Sequence, residues 1–216
     1  MAPNTLVFDL DGTISDPSLG IGRSMNYALE AFGHPRLADA DVSDFIGPPI
    51  DVAFARITGS NDEGRIAALV AKFRERYGHI GYAENTLYPG VADVLASLGR
   101  AGAPLAVCTS KRVDFAQRIL EMFEVRRYFA HVDGGDVGIR KRDQLTRMLR
   151  DGVIGAGSIM IGDRAFDIDA ARANALDSIG VLWGHGTRGE LEAAGARRLI
   201  DSPGELLELA EQLARR

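Results

Sequence analysis

Residues 5–13 read TLVFDLDGT. The apolar run Leu6-Val7-Phe8 has the length of a short buried strand, and Asp11-Gly12 is a dipeptide at which a turn must begin. A strand is therefore predicted over residues 5–10, with Asp9 at its carboxyl end. From residue 17 to about residue 84 the pattern is helical instead. Ile21, Met25, Ala28 and Phe32 share one face, as do Ile66, Leu69, Val70, Phe73 and Tyr77.

After Tyr88-Pro89 the pattern alternates. Val91, Val94, Leu95 and Leu98 mark a helix, PLAVC (104–108) a strand, 113–123 a helix, and AHVDGG (130–135) a weak strand. A helix over 141–150, a strand SIMIG (158–162), a helix over 168–175, a strand SIGVL (178–182) and two last helices follow. Such alternation is the signature of a parallel sheet wrapped by helices. The first strand must return to that sheet to be buried, so the helical block is an insertion into an α/β domain. In open sheets of this kind ligands bind at the carboxyl ends of the strands.

Composition narrows the function classes. With 46% hydrophobic and 25% charged residues in 216, the chain has the make-up of an ordinary globular protein, neither disordered nor membrane-embedded. The net charge of -5 repels polyanions, so nucleic acid is not an expected partner, and an anionic ligand needs a local positive cluster. Cys108 is the sole cysteine, which precludes an intrachain disulfide and fits a reducing cytoplasm. The start MAPNTLVFDLDGT lacks a basic segment and its apolar run is broken by acids, against a signal peptide. No apolar run reaches the roughly 18 residues of a membrane span, so no membrane association is expected. No heptads are evident; a monomer or homodimer is expected.

Three expected strand ends carry polar groups: Asp9 and Asp11, Thr109 and Ser110, Asp163 and Asp167. Carboxylates crowded at one mouth stay ionised together only with a compensating cation. The donors are all oxygens, which selects a hard ion, Mg²⁺, over zinc; His34, His79, His131 and His185 are scattered. Phosphoryl transfer needs a nucleophile, an acid for the leaving oxygen and positive charge on the equatorial oxygens. The only lysines are Lys72, Lys111 and Lys141; Lys111 directly follows Thr109-Ser110, and Lys141 begins the helix before SIMIGD.

VFDLDGT, CTSK, Lys141 and GDRAFD, in this order, resemble the four motifs of the haloacid-dehalogenase-like hydrolase superfamily. FIGPP (45–49), YPGV (88–91) and WGHGT (183–187) extend the likeness over essentially the whole chain, which is most similar to the phosphoglycolate-phosphatase-like branch. The resemblance implies a Rossmann-like parallel sheet flanked by helices (residues 1–14 and 87–216) with an inserted α-helical cap domain (15–86). It further implies a Mg²⁺-dependent phosphatase acting on a small phosphorylated metabolite through an aspartyl-phosphate. Asp9 would be the nucleophile, Asp11 the general acid and base, and Lys141 the charge that steadies the nucleophile and the phosphate. Thr109, Ser110 and Lys111 would hold the phosphate. Asp9, Asp11, Asp163 and Asp167 would hold the metal. Arg142 stands where the family usually has proline after the lysine, which leaves Lys141 and Lys111 as alternatives for the main phosphate contact. Arg23 and the Gly47-Pro48-Pro49 loop are candidate substrate selectors. A phosphosugar mutase, a 5'-nucleotidase-type phosphatase and a non-catalytic regulator are the rival readings. Asp11 speaks against carbon–halogen and carbon–phosphorus cleavage, because family members with those activities lack an acid there.

Overall fold

In the computed structural model, which describes residues 2–208, the run Leu6-Val7-Phe8 forms β1 (Leu6–Phe8), buried throughout. A two-residue strand β2 (Ser15–Asp16) leads into the helical block of α1 (Ser18–Ala31), α2 (Ile50–Thr58) and α3 (Glu63–His79). The chain returns through β3 (Thr86–Leu87), which pairs antiparallel with β2, Ser15 opposite Leu87. Helices and strands then alternate: α4 (Val91–Arg100), β4 (Leu105–Arg112), α5 (Val113–Met122), β5 (His131–Gly135), α6 (Lys141–Arg150), β6 (Ile159–Gly162) and α7 (Ala165–Ala173). β7 (Asp177–Val181), α8 (Arg188–Ala194) and β8 (Arg198–Ile200) complete the series.

The sheet has six strands in the order β5-β4-β1-β6-β7-β8, and all its pairings are parallel. β1 lies between β4 and β6, as its apolar sequence demands. Its side chains alternate between the two covered faces. Leu6 and Phe8 pack with Val94, Leu95 and Ile119. Val7 packs on the other face with Leu145, Met148 and Ala171. A separate apolar cluster fills the helical block and takes in one residue of α5, Phe115. The start of α3 is fixed by Asp62, whose side chain accepts a hydrogen bond from Arg65 N at 3.0 Å. No helix among the described residues is long and apolar enough to cross a membrane.

Several elements differ from the sequence reading. β4 continues past Cys108 to Arg112, so Thr109, Ser110 and Lys111 lie on the strand itself. α7 begins at Ala165 rather than near 168, because the Asp167 carboxylate accepts from Arg164 N at 3.1 Å and closes the first turn. The segment between the two expected last helices contains β8, three residues at the sheet edge and too short to show a period. The last expected helix falls mostly beyond residue 208, outside the described residues.

Candidate active site

β1, β4 and β6 end side by side, and their carboxyl ends carry the acids. Asp9 stays tied to the sheet, its N–H donating to Ile161 O at 2.9 Å. Asp163 follows β6, and Asp167 lies in the first turn of α7. One carboxylate oxygen from each of Asp9, Asp163 and Asp167 lies within 4.8 Å of the others, and all three residues are buried.

Lys141, the first residue of α6, closes this group. Its Nζ lies 2.9 Å from Asp9 Oδ2 and 2.5 Å from Asp167 Oδ1. Burial alone would lower the ammonium, but the charges of Asp167 and Asp9 outweigh it and hold Lys141 above the ordinary lysine range. Burial, with Asp9 adding repulsion, raises the Asp167 carboxyl to about 6 against the pull of Lys141. Asp163 is pushed up well above the ordinary carboxyl range by burial, then by Asp167 and Asp9. Asp163 is also held in place: its carboxylate accepts from Thr13 Oγ1 at 3.3 Å and from His185 N at 2.8 Å. Gly12 permits this, since a Cβ there would sit 2.1 Å from Asp163 Oδ2, and its φ of +84° suits glycine.

Three carboxylates meet beside one ammonium that pairs with only two of them, and Asp9 Oδ1 is buried without a hydrogen-bond partner. Such an arrangement is costly by itself and is relieved by a cation. Oxygen-only donors suit a hard divalent ion, so the residues present fit Mg²⁺.

Asp11, expected to share in holding the metal, has its carboxylate elsewhere. Its Oδ2 lies 2.9 Å from Lys111 Nζ, outside the three-carboxylate group. Burial raises the Asp11 carboxyl, Lys111 opposing and Asp9 adding to the effect. The Lys111 ammonium also donates to Tyr77 Oη of α3 at 2.5 Å. The two lysines are thus divided, Lys141 on Asp9 and Lys111 on Asp11. Thr109 is buried on β4, its carbonyl accepting from Gln144 Nε2 at 3.1 Å.

Asp9, Asp11, Thr109, Ser110 and Lys111 form the floor of a cavity roofed by the helical block. Gly47 and Pro48 line it, whereas Arg23 pairs with Glu84 at 2.6 Å, away from this lining. Arg164 Nη1 reaches the loop before Gly47, donating to Ile46 O at 2.5 Å, and its Nε donates to Glu190 at 2.9 Å. The sequence reading missed Thr13, Tyr77, Gln144, Arg164 and Glu190 as parts of the site. Thr13 and Arg164 lie inside the VFDLDGT and GDRAFD stretches, where position was the available signal. Tyr77 reads only as one more apolar helix position.

A profile of haloacid dehalogenase-like hydrolases matches residues 6–181. A 5'-nucleotidase from Pseudomonas aeruginosa is 38% identical over 88% of this chain and 87% of its own length. A phosphoglycolate phosphatase from Vibrio parahaemolyticus is 31% identical over 94% of both chains. A solved structure, described as a predicted phosphatase from Clostridium acetobutylicum, superposes with a TM-score of 0.91 at 33% identity, covering 98% of this chain and 100% of that one. Motifs, fold and site geometry agree with these likenesses: the chain belongs to the haloacid dehalogenase-like hydrolases, in their phosphoglycolate-phosphatase-like branch.

Proposed function

We propose that the protein is a Mg²⁺-dependent phosphatase of a small phosphorylated metabolite, working through a phosphoryl group carried on Asp9. The observation that carries this reading is Asp9 itself. One carboxylate oxygen, Oδ2, is held by Lys141 at 2.9 Å, Oδ1 is buried without a hydrogen-bond partner, and the carboxylate lies within 4.8 Å of those of Asp163 and Asp167. A carboxylate whose orientation is fixed by a lysine at the end of a buried strand is suited to in-line attack.

Asp9 attacks phosphorus, forming the acyl phosphate as the bond to the leaving alkoxide breaks. Asp11, whose raised carboxyl keeps its proton to higher pH than an ordinary acid, donates that proton to the leaving oxygen. Water then attacks the same phosphorus, Asp11 takes its proton, and the Asp9 carboxylate leaves. Lys111, Thr109 and Ser110 hold the phosphoryl oxygens, and Lys141 keeps Asp9 aimed. Asp9, Asp163 and Asp167 would hold Mg²⁺, which neutralises charge on the transferred group when bound.

The helical block, residues 15–86, acts as the cap that covers the site and excludes water. Its roofing of the cavity, through Gly47, Pro48, Phe73 and Tyr77, supports that role. The names of the relatives point to phosphoglycolate or a nucleoside 5'-monophosphate as substrate classes. The net charge of -5 disfavours nucleic-acid partners, the single cysteine fits a reducing cytoplasm, and the enzyme works as a monomer or homodimer.

The test is phosphate release from a panel of phosphometabolites with and without Mg²⁺, with acid quenching of turning-over enzyme and mapping of the phosphorylated peptide. Label on residues 5–13, absent in Asp9→Asn, is expected. Phosphate release that persists in Asp9→Asn would remove the reading.

A further inference from the structure

The cavity above Asp9 has an unusual balance of lining for a site that takes an anion. Beyond the floor its walls are apolar: Met25, Phe45, Ile50, Phe73 and Phe115 face it, with the ring of Tyr77. The rings form a continuous surface, Phe73 stacked on Tyr77 at 5.1 Å and Tyr77 edge-on to Phe115 at 5.2 Å.

The lining has three cations, Lys111, Arg74 and Arg112, and each already has an acid. Lys111 is bound to Asp11. Arg74 of α3 pairs with Asp136. Arg112 grips Asp114 in a fork, at 2.8 and 2.6 Å, with its guanidinium 5.0 Å from the centre of the Phe115 ring. The floor, with the cation its acids would hold, accounts for one phosphoryl group. A second negative charge on the substrate would have to displace one of these acids, at the modest cost of a partly exposed ion pair, or lie uncompensated against aromatic carbon, at a larger one. An uncharged ring instead gains from the same walls by burial and stacking.

We infer that the substrate is a phosphomonoester whose leaving alcohol is uncharged and carries an apolar or aromatic ring, and not a phosphorylated carboxylic acid such as phosphoglycolate. This rests on the phosphatase reading and narrows it. A nucleoside 5'-monophosphate and a simple benzyl phosphate share the required chemistry.

The experiment compares kcat/KM of the Mg²⁺-loaded enzyme for nucleoside 5'-monophosphates and benzyl phosphate with that for phosphoglycolate. At least about a tenfold preference for the ring-bearing esters is expected, the scale on which a pocket discriminates by apolar contact. Benzyl phosphate alone ahead assigns the preference to the ring itself; nucleotides ahead of it assign part to the sugar. The second arm is Asp114→Asn, which frees Arg112 without touching the cavity. Phosphoglycolate turnover should rise about threefold, the scale of a partly exposed ion pair, with benzyl phosphate unchanged. Phosphoglycolate turned over as well as the ring esters, or no gain in Asp114→Asn, overturns the inference and leaves the phosphatase reading intact. Absence of phosphate release from every ester overturns both.

Discussion

Arg164 Nη1 donates to the carbonyl oxygen of Ile46 at 2.5 Å, joining the residue next to Asp163 to the loop that enters Gly47-Pro48-Pro49. The same guanidinium donates to Ser43 O at 3.3 Å and, through Nε, to Glu190 Oε1 at 2.9 Å. Gly47 makes room for it, with φ of +107° and a Cβ position 2.9 Å from Arg164 Cγ. A single core side chain therefore fastens the roof of the cavity.

Removing that fastening leaves the Ile46 carbonyl without its side-chain donor, while Ser43 O keeps the N–H of Ile46 at 3.2 Å. A charge-assisted hydrogen bond contributes on the order of 1.5–3 kcal/mol, so Arg164→Ala is expected to lose about ten- to a hundredfold in kcat/KM. Both KM and kcat should change, as for a closure defect. Arg164→Lys should not recover it, since an ammonium cannot reach Glu190 and the loop from one fork. Steady-state kinetics on the three proteins decide this; wild-type values in Arg164→Ala would refute the role.

Lys141 is the sole ammonium touching both Asp9 and Asp167 among the described residues. Substituting it with methionine keeps the stem's bulk and strands two buried carboxylates, a change that costs on the order of 3–5 kcal/mol. Thermal melting of metal-free Lys141→Met should therefore fall well below wild type. Part of the loss should return on adding Mg²⁺, since a cation at the carboxylates replaces some of the missing charge. An unchanged melting temperature in chelator would show that the lysine is not holding the group together.

Much of this site was legible in the sequence because its acids sit where a strand stops. Asp9 and Asp163 each follow an apolar run whose only reasonable place is a buried parallel strand, so their meeting follows from strand adjacency. The direction of Asp11 was not legible. It is seen in the ion pair with Lys111 at 2.9 Å, a contact across the sheet that no strand or turn pattern records. Arg164 and Tyr77 were hidden for another reason: their partners, Ile46 and Lys111, lie 118 and 34 residues away. No local periodicity records a contact between the cap and the sheet. β8 escaped because three residues at an edge carry no period to detect.

The acidic group predicts how stability depends on pH. The Asp167 carboxyl is raised to about 6, and those of Asp163 and Asp11 are raised as well, burial first in each case. A carboxyl raised in the folded chain keeps protons that the unfolded chain has lost, so its contribution to stability falls as pH rises through that window. Bound Mg²⁺ favours the ionised acids and competes with those protons. The gain in melting temperature on adding millimolar Mg²⁺ is therefore expected to grow from about pH 5 to about pH 7. His185, lowered by burial, acts in the opposite sense near neutrality, so the Mg²⁺ increment is the quantity to compare. An increment that is flat or shrinks with rising pH would contradict the assignment.

Gly12 separates the geometry of the metal group from its chemistry. It keeps φ at +84°, and a methyl group there would lie 2.1 Å from Asp163 Oδ2. Gly12→Ala leaves every carboxylate in the sequence but forces Asp163 to move or the turn to open. The left-handed backbone adds about 1–2 kcal/mol of strain for alanine and crowding against the Asp163 carboxylate about 1–3 kcal/mol more, together short of what unfolds a domain of ordinary stability. The variant should thus fold, with the circular dichroism of wild type, while Mg²⁺ raises its melting temperature by less and half-maximal activation needs at least about tenfold more Mg²⁺. The displaced Asp163 also loses its bonds to Thr13 and His185, so Thr13→Val should reproduce a milder form of the same defect without any backbone strain. Wild-type Mg²⁺ response in both variants would mean that Asp163 does not need this support to bind the ion.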